Sequence, residues 1–547
     1  MSELPAFSTH AVSNQPPPLL PFDAWASDAP LRSAVAREAP AADCVPLADY
    51  GARVGGELSE WGFLANRFKP QLHTHSRYGE RIDQVEFHPA YHQLMQAAVG
   101  AGVHSLGWEG APGDQVRRAA LSYLHHQAEA GTSCPLTMTF AAVPVLRQGG
   151  EALRPWLERA LSRQYDPRFV SGLDKAGITL GMGMTEKQGG SDVRANSTRA
   201  EPLGGSRYRL VGHKWFFSAP MCDAFLVLAQ APGGLSCFLL PRFRDDRSRN
   251  ALRVLRLKDK LGNWANASSE VEFEGAEAWR IGEEGRGVAS ILDMVSLTRL
   301  DCMLGSAAEM RRALIEALHH AQHRKAFGAP LIDQPLMREV LADLALEVEA
   351  AVALAFRVAG AIDRARDNPA EAALARIATA LGKFWICKRA PALVNEAQEC
   401  LGGAGYVEES IMPRLYREAP LNSIWEGCGN IQCLDVLRAL QREPASLAAL
   451  QLELEQARGA NGLLDAEVAR CNELLRAVSR DANAAQRCAR QLAQRLAQCL
   501  QAATLLRSEL AIGAAFCLAR FGAGRGLGYG AAGLASVEGQ LLHRAFS

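Results

Sequence analysis

The sequence predicts an α+β protein in which two helical regions flank a central β domain and a third helical region follows. Apolar residues recur every three or four positions from residue 51 to about 180 and again after residue 286, which is the period of amphipathic helices. Between 181 and 285 the pattern changes to short apolar or β-branched runs bounded by glycine, proline and aspartate, which is typical of strands in a barrel or sandwich. A length of 547 residues favours three or four domains.

The elements follow one another in a definite order along the chain. The proline-rich start, with Gln15-Pro16-Pro17-Pro18, predicts an extended arm. The strands of the β domain are expected at 208–216, 225–229, 236–240 and 271–273. The predicted segments are an N-terminal arm (1–50), an N-terminal helical domain (51–180), a middle β domain (181–285), a C-terminal helical bundle (286–444) and a helical extension (445–547).

Composition excludes several classes of protein. With 48% hydrophobic and 22% charged residues the chain has the make-up of a soluble globular protein, and a net charge of zero argues against a wholly basic nucleic-acid binder but not against a local basic patch. No apolar run approaches the length of a membrane span, and the first ten residues lack the features of a secretory signal. The 13 cysteines form no C-x-x-C pair, and metal-ligand spacing is absent, so we expect a cytoplasmic protein without a metal site.

Two separated motifs carry the chemistry. The stretch MTEKQGGSDV, residues 184–193, offers the hydroxyls of Thr185 and Ser191, and its glycine pair lets the backbone approach a ligand closely. The stretch SIWEGCGN, residues 423–430, offers a lone carboxylate, Glu426, beside an aromatic residue and before two glycines. A glycine pair alone is usually only a turn, so the significance lies in finding both motifs in one chain.

In their order and approximate spacing the two motifs resemble those of the acyl-CoA dehydrogenase flavoproteins, close to L-T-E-x-x-A-G-S-D and Y-E-G-x-x-x-I. The resemblance covers residues 180–440 with several motifs and 51–180 more loosely. It implies an acyl-CoA dehydrogenase-like fold, an FAD cofactor and an acyl-CoA substrate. Trp425 stands where the family usually has tyrosine, which changes the shape of the substrate pocket.

Three further stretches resemble the cofactor motifs of this family. GHKWFFSA, residues 212–219, is similar to its G-x-K-x-W-I-T-N strand, which implies that Phe216 packs on the flavin and that Ser218 lies near flavin N5. RKAFGAPLIDQ, residues 324–334, resembles a motif whose arginine, phenylalanine and glutamine reach the cofactor of a neighbouring subunit, which implies a homotetramer or at least a dimer. The glycine turn 402–406 resembles one that approaches the pyrophosphate, although a simple helix connector is the alternative.

The resemblance thus implies a set of cofactor contacts spread over five stretches of chain. They are Met184, Thr185, Gly190, Ser191, Phe216, Phe217, Ser218, Arg324, Phe327, Gln334, Gly402, Gly403, Ile424, Trp425, Gly427, Gly429 and Asn430.

Glu426 is the predicted catalytic residue. The α-proton of an acyl thioester is weakly acidic, so its removal needs a positioned base, and a carboxylate in a dry pocket has a raised pKa that suits this task. The family places its base at this glutamate and its hydride acceptor at the flavin. Arg299 matches a family arginine at a helix start and is predicted to pair with Glu426, with a surface arginine as the alternative.

The helical extension carries an excess of positive charge. Beyond Leu475 there are nine arginines, no lysine and three acids, so the net charge is 9 − 3 = +6. At 100° per residue Arg476, Arg480, Arg487 and Arg490 fall within one arc of a single amphipathic helix. Such a stripe suits phosphate contacts, whereas a solvated helix face is the alternative.

Residues 212–218, 257–263 and 422–427 closely resemble a bacterial branch of the family that is linked to DNA alkylation damage and carries an extra DNA-binding helical domain. The favoured hypothesis is an FAD-containing homologue that binds double-stranded DNA in the adaptive response to alkylation, with weak isovaleryl-CoA-type dehydrogenase activity. The alternative is a metabolic short- or branched-chain acyl-CoA dehydrogenase that passes electrons to an electron-transferring flavoprotein and has no DNA role.

Overall fold

The computed structural model describes residues 9–478, 482–523, 526 and 528–546. Helices dominate it on both sides of one β domain, as the apolar periods predict. The α-helices are α1 (Ala29–Glu38), α2 (Val45–Arg53), α3 (Ser59–Arg67), α4 (Pro89–Ala101), α5 (Asp114–Ala128), α6 (Ala130–Arg147), α7 (Gly150–Ala160), α8 (Gly287–His323), α9 (Pro335–Arg364), α10 (Pro369–Cys400), α11 (Met412–Glu418), α12 (Gly429–Arg442), α13 (Pro444–Glu455), α14 (Gly462–Val478), α15 (Ala482–Ser508), α16 (Leu510–Phe521) and α17 (Glu538–Phe546).

The middle domain is a closed barrel. Its seven strands are β3 (Leu180–Gly183), β4 (Arg199–Gly204), β5 (Arg207–Ser218), β6 (Ala224–Ala231), β7 (Gly234–Pro241), β8 (Leu252–Leu257) and β9 (Ser268–Ile281), after an N-terminal hairpin of β1 (Gln71–His75) and β2 (Arg81–Glu86). The order β6-β4-β5-β9-β7 closes because β7 also pairs with β6, and β3 and β8 attach at β6 and β9. Two-residue strands β10 (Lys325–Ala326) and β11 (Ala329–Pro330) form a small hairpin after α8.

The predicted arm is only partly correct. Residues 29–53 form two buried helices that belong to the helical body, and the extended part stops before Ala29. Both helices are short and begin with proline at their first turn, so they show too few apolar repeats to be recognised by period. The hairpin of β1 and β2 within the N-terminal helical domain was likewise not predicted.

The predicted single arginine helix of the extension is wrong. α14 is described as far as Val478 and α15 from Ala482, and the two pack on each other as separate helices, with the Cys471 and Cys499 Sγ atoms 4.0 Å apart. Arg476 therefore lies on a different helix from Arg487 and Arg490, and Arg480 lies outside the described residues. The arc computed on one continuous helix does not exist.

Much of the positive charge of the extension is neutralised inside the fold. Arg495 pairs with Glu467, and Arg507 with Glu453 at 2.6 Å. Arg520 pairs with Asp343 and Glu347 of α9 at 2.7 and 2.9 Å, and Arg544 with Glu349 of α9. The apolar side of α15 shares one hydrophobic core with the helical bundle, so the extension is built into the body of the protein.

Candidate active site

Glu426 lies in a tight loop between α11 and α12 whose backbone is held in an unusual conformation. Its φ is +56°, in the left-handed region that a residue with a side chain rarely adopts. Arg299 Nε and Gln432 Nε2 donate to the Glu426 carbonyl oxygen at 3.1 and 3.0 Å, and Lys383 Nζ donates to the carbonyls on either side at 2.8 and 2.6 Å. Strain of this kind persists where surrounding groups over-determine it, which is common at functional sites.

The Glu426 carboxyl group has one short hydrogen bond. Thr298 Oγ1, on α8, donates to its Oε2 at 2.6 Å. Burial raises the pKa of this carboxyl above its ordinary value, while the Thr298 hydroxyl and then the positive charges of Arg299 and Lys383 lower it. The net rise in pKa suits a base that must take a weakly acidic proton, because a carboxylate with a higher pKa is a stronger base.

The predicted pairing of Arg299 with the Glu426 carboxylate is wrong. Arg299 bonds the backbone carbonyl of Glu426 through Nε and the carboxylate of Asp435, on α12, through Nη1 at 2.7 Å. Arg376 holds the other oxygen of Asp435 at 2.7 Å. Arg299 therefore ties the loop to α8 and α12 without touching the reacting carboxylate, and Thr298, Lys383 and Gln432 were missed by sequence reasoning because no motif marks them.

Strand β5 presents alternate side chains to opposite faces, which separates the three residues of the flavin motif. Phe216 is 51% exposed, and the Lys258 ammonium lies 4.7 Å from its ring centroid. Ser218 is half-buried, with its Oγ 3.4 Å from that of Ser268. Phe217, between them, is fully buried in the barrel core 4.3 Å from Phe225, so its predicted cofactor contact is wrong for the side chain.

The 184–191 loop is anchored by a buried ion pair. Glu186 and Lys214 of β5 are both inaccessible and 2.8 Å apart, and although burial opposes it, the Lys214 ammonium holds the pKa of Glu186 well below its ordinary value. Thr185 accepts a backbone bond from Trp215 at 2.8 Å. A Cβ at Gly190 would lie 2.3 Å from Thr185 Oγ1, so the turn requires glycine there, and it leaves Ser191 exposed.

The Cys134 thiol, near the start of α6, lies close to groups from both the 423–430 loop and strand β5. Burial raises its pKa to about 11, with Lys260 and Asn266 opposing this, and Glu426 and Ser218 are close enough to contribute. Trp425 and Met184 are both partly buried and pack against the hydrophobic core of the β domain. Glu426 and the Ser218 hydroxyl of β5 therefore both lie near the start of α6, and the 184–191 loop as a further wall of one cofactor space stays a prediction.

The remaining predicted cofactor residues are exposed or half-buried in the protomer. Phe327 is 99% exposed with φ +51°, Ile424 is 63% exposed, and Gly402 and Gly403 have open space around them. Arg324 Nη1 donates to the Asn14 carbonyl at 2.6 Å, Gln334 Nε2 to the Ala326 carbonyl at 3.2 Å, Gly427 has φ +90°, Gly429 begins α12, and Asn430 accepts a bond from Arg490 at 2.7 Å.

Comparisons with known proteins agree with this geometry. The chain matches the N-terminal domain of the adaptive response protein AidB over residues 14–167, the acyl-CoA dehydrogenase middle domain over 181–276 and the acyl-CoA dehydrogenase C-terminal domain over 285–441. It is 52% identical to AidB of Escherichia coli (strain K12), over 86% of this chain and 87% of that one. The chain belongs to the AidB group of the acyl-CoA dehydrogenase family.

Solved structures resemble it along nearly their whole length. Bd2924 in its apo-form has a TM-score of 0.83 at 30% identity, covering 90% of this chain and 99% of that one. Caenorhabditis elegans ACDH-11 in complex with C11-CoA has a TM-score of 0.83 at 26% identity, covering 100% of this chain and 95% of that one. The predicted acyl-CoA dehydrogenase-like fold is confirmed.

As an acyl-CoA dehydrogenase family member the protein is an FAD-dependent oxidoreductase. The residues present fit that cofactor: Thr185 and Ser218 offer hydroxyls, Phe216 offers an exposed aromatic face, and Gly402 and Gly403 offer open backbone. Among the described residues, no helix is long and apolar enough to cross a bilayer. The same residues bring no three histidine, cysteine or acidic side chains into an arrangement that could hold a metal ion.

Proposed function

We propose that the protein dehydrogenates acyl-CoA thioesters with Glu426 as the base that removes the α-proton. The observation that carries this proposal is the environment of the Glu426 carboxyl group. Its pKa is raised, Thr298 donates a hydrogen bond to it, and groups from three helices hold its loop in place. Bound FAD supplies the hydride acceptor. Arg299, Gln432 and Lys383 act by position, because they hold the backbone that aims the carboxylate and none of them bonds to its oxygens.

Glu426→Gln tests the assignment. The amide keeps the shape of the side chain but cannot accept a proton, so anaerobic flavin bleaching by acyl-CoA should slow by a factor of about 10²–10⁴ while the FAD content stays unchanged. Glu399→Gln, an exposed carboxylate at the end of α10, is the matched control and should bleach like wild type. Unchanged bleaching in Glu426→Gln would assign the base to another residue.

The substrate we propose is a short or branched acyl-CoA such as isovaleryl-CoA, turned over weakly, with an electron-transferring flavoprotein as acceptor. Trp425 supports slow turnover, since its bulk stands beside the base and its Nε1 is bonded to Asn422 Oδ1 at 2.9 Å, which fixes the ring in the pocket wall. The cytoplasm is the proposed compartment, in line with thirteen cysteines that are all free thiols.

We propose a homotetramer in which the 324–334 segment completes the FAD site of a neighbour. Phe327 supports it, because a phenylalanine 99% exposed at the tip of a hairpin in the left-handed region is costly unless another surface covers it. Leu336 and Ile424, at 84% and 63% exposure, are two further exposed apolar side chains. Light scattering of the holoprotein should give four times the protomer mass.

Duplex DNA binding in the alkylation response is a second proposal, and fewer of the arginines predicted from the sequence support it. Arg476 and Arg487 are exposed on the two helices of the α14–α15 pair, and Arg438 is exposed on α12, which packs against α15. Arg490 is set apart from them, because it bonds Asn430 beside the cofactor region and lies 5.5 Å from the Phe384 ring centroid.

The DNA proposal is tested with the full-length holoprotein and a labelled duplex in fluorescence anisotropy. Arg476→Ala/Arg487→Ala should weaken binding to all sequences alike and lower the slope of log K against log salt by about 0.9 per lost phosphate contact. Arg366→Ala, an exposed arginine beyond α9, is the control. Equal affinity and slope in wild type and double variant would leave the plain acyl-CoA dehydrogenase as the function.

A further inference from the structure

A cavity of about 170 Å³ lies between the N-terminal helical domain and the β domain. Its walls come from β2, α4, residues 165–170, the turn after β5 and Arg242, just after β7. The described residues that line it include none of the predicted catalytic or cofactor residues. Glu86, Pro167 and Arg168 of the lining are exposed, so the cavity opens to solvent at one end. It is therefore a space separate from the loop that carries the predicted base.

Arg242 is a buried positive charge in the wall of this cavity. The residue is 8% exposed, and among the described residues its Nε and Nη1 atoms have no hydrogen-bond partner. Its Nη2 donates to the Asp83 carbonyl oxygen at 3.4 Å, which is long for a hydrogen bond. The guanidinium carbon lies 4.7 Å from the centroid of the Phe169 ring. Arginine stays protonated in proteins, so this side chain keeps its charge although it is buried.

The two carboxylates near Arg242 are already bonded to other cations. Asp223 holds the Lys175 ammonium at 2.7 Å with one oxygen and accepts a backbone N–H at 3.0 Å with the other. Both oxygens of Asp83 accept from Arg81 Nε, at 3.1 and 3.0 Å. Within the described parts of the chain, the charge of Arg242 is therefore left without a carboxylate of its own. Burying a charge without a partner is strongly unfavourable, which is why buried charges in proteins are normally paired.

The rest of the lining suits an apolar group of about the size of a benzene ring. Phe87 and Tyr91 stack with their ring centroids 4.0 Å apart, and Met95, Val170 and Met221 add further apolar surface. A protein cavity of about 150 Å³ holds benzene, so 170 Å³ accepts a ring of that size or a chain of about six carbons. One negative charge on an apolar body matches both the unpaired cation and these walls, whereas phosphate has no apolar part.

We propose that this cavity binds a small organic monocarboxylate and that Arg242 is its charge partner. Nη1 and Nη2 form the planar end of the guanidinium, which binds a carboxylate with two parallel hydrogen bonds. The ligand supplies the negative charge that the neighbouring acids do not, and its apolar part contacts the aromatic wall. This site is independent of the function proposed for Glu426, because it needs neither FAD nor an acyl-CoA.

The test is calorimetric titration of the holoprotein at constant ionic strength with sodium acetate, hexanoate, benzoate or phosphate, and with benzamide as the neutral analogue of benzoate. Benzoate should bind about a hundredfold more tightly than benzamide, since each hydrogen bond to a charged group contributes a factor of about ten or more. Acetate leaves most of the cavity unfilled and should bind at least about tenfold more weakly than hexanoate. Equal binding of benzoate and benzamide, tightest binding of phosphate, or no binding of any acid would overturn the proposal.

Four variants locate the bound carboxylate. Arg242→Met keeps the aliphatic part of the side chain without its charge and should weaken benzoate binding about a hundredfold. Val170→Trp keeps the arginine but fills the cavity, and it should weaken binding at least about tenfold. Arg209→Gln, which removes an exposed arginine of β5, is the matched control, and both it and Glu426→Gln should bind benzoate like wild type.

Unchanged affinity in Arg242→Met, or binding lost in Glu426→Gln, would place benzoate elsewhere and refute the site. If Arg242→Met does not fold, Val170→Trp and the wild-type series decide. Flavin bleaching by acyl-CoA tests the dehydrogenase function separately, so failure of one proposal leaves the other standing.

Discussion

The hydrogen bond from Thr298 to Glu426 makes a quantitative prediction about the pH dependence of catalysis. At 2.6 Å it is a charge-assisted bond to the ionised carboxylate, and it opposes the rise in pKa that burial causes. Thr298→Val removes the donor and keeps the shape of the side chain. The ionised form loses a partner while the protonated form loses little, so the pKa of Glu426 should rise further.

The magnitude follows from the strength of such bonds. A hydrogen bond to a charged group contributes about 1.5–3 kcal/mol, and one pKa unit corresponds to about 1.4 kcal/mol. Because the Glu426 loop is only half-buried and water screens part of the effect, we take the lower end, about one pH unit. A base must be ionised to act, so activity is lost as pH falls through the pKa, and in the variant this loss should begin at a higher pH.

The assay is the rate of anaerobic flavin bleaching by a saturating short acyl-CoA, measured from pH 6 to pH 10. Wild type and Thr298→Ser should share the same acid limb, because serine keeps the hydroxyl, and Thr298→Val should have its acid limb displaced upward by about one unit. If the valine variant follows the wild-type limb, or if serine moves it as far as valine does, the hydroxyl does not set the basicity of Glu426.

Three other predictions follow from buried charges and exposed surface. Lys383→Met removes a donor from the Trp425 and Gly427 carbonyls, of which Gly427 keeps its bond from Gln432, and should lower kcat about tenfold to a hundredfold in stopped-flow bleaching with FAD retained, whereas an unchanged kcat would remove its positioning role. Burial and the Glu129 and Glu309 carboxylates raise the pKa of Glu418 from 4.5 to about 7 in the folded protein. Ionised Glu418 therefore destabilises the fold: this destabilisation is absent below the pKa of the unfolded state and complete above the pKa of the folded state. Glu418→Gln should therefore raise the free energy of unfolding by up to about 3 kcal/mol at pH 8 and little at pH 4.5, and urea titrations that show the same gain at both pH values would contradict this. Phe327→Asp should reduce the mass found by light scattering, and an unchanged tetramer would show that this side chain is outside the interface.

Sequence reasoning predicted the elements that a local pattern of residues marks. The period change at residue 181 placed the β domain, and the motifs at 184–193 and 423–430 marked candidate site residues, because each is a short segment with its own composition. Thr298, Lys383 and Gln432 were not predicted, since their roles depend on three helices meeting at one loop and their residue types are ordinary. The prediction about Phe217 failed because it ignored the alternation of the strand.

The arginine stripe failed for a different reason. Helical projection assumes one unbroken helix, whereas α14 and α15 are two helices that pack against each other. The net charge also counted four arginines as if they faced solvent, although each has an acidic partner: Arg495, Arg507, Arg520 and Arg544. The partner of Arg507 lies on α13, and Arg520 and Arg544 have partners on α9. Partners distant in sequence cannot be assigned by counting charges.

These internal pairs decide how the extension can be studied in isolation. A fragment from residue 445 onward would lose Asp343, Glu347 and Glu349 of α9, and with them both counterions of Arg520 and one of the two counterions of Arg544. It would also uncover the apolar side of α15 that shares the core of the bundle. Such a fragment would expose more apolar surface and more unpaired positive charge than the same residues in the whole protein. Its retention on a polyanion column would therefore result from the truncation and would not demonstrate a recognition surface.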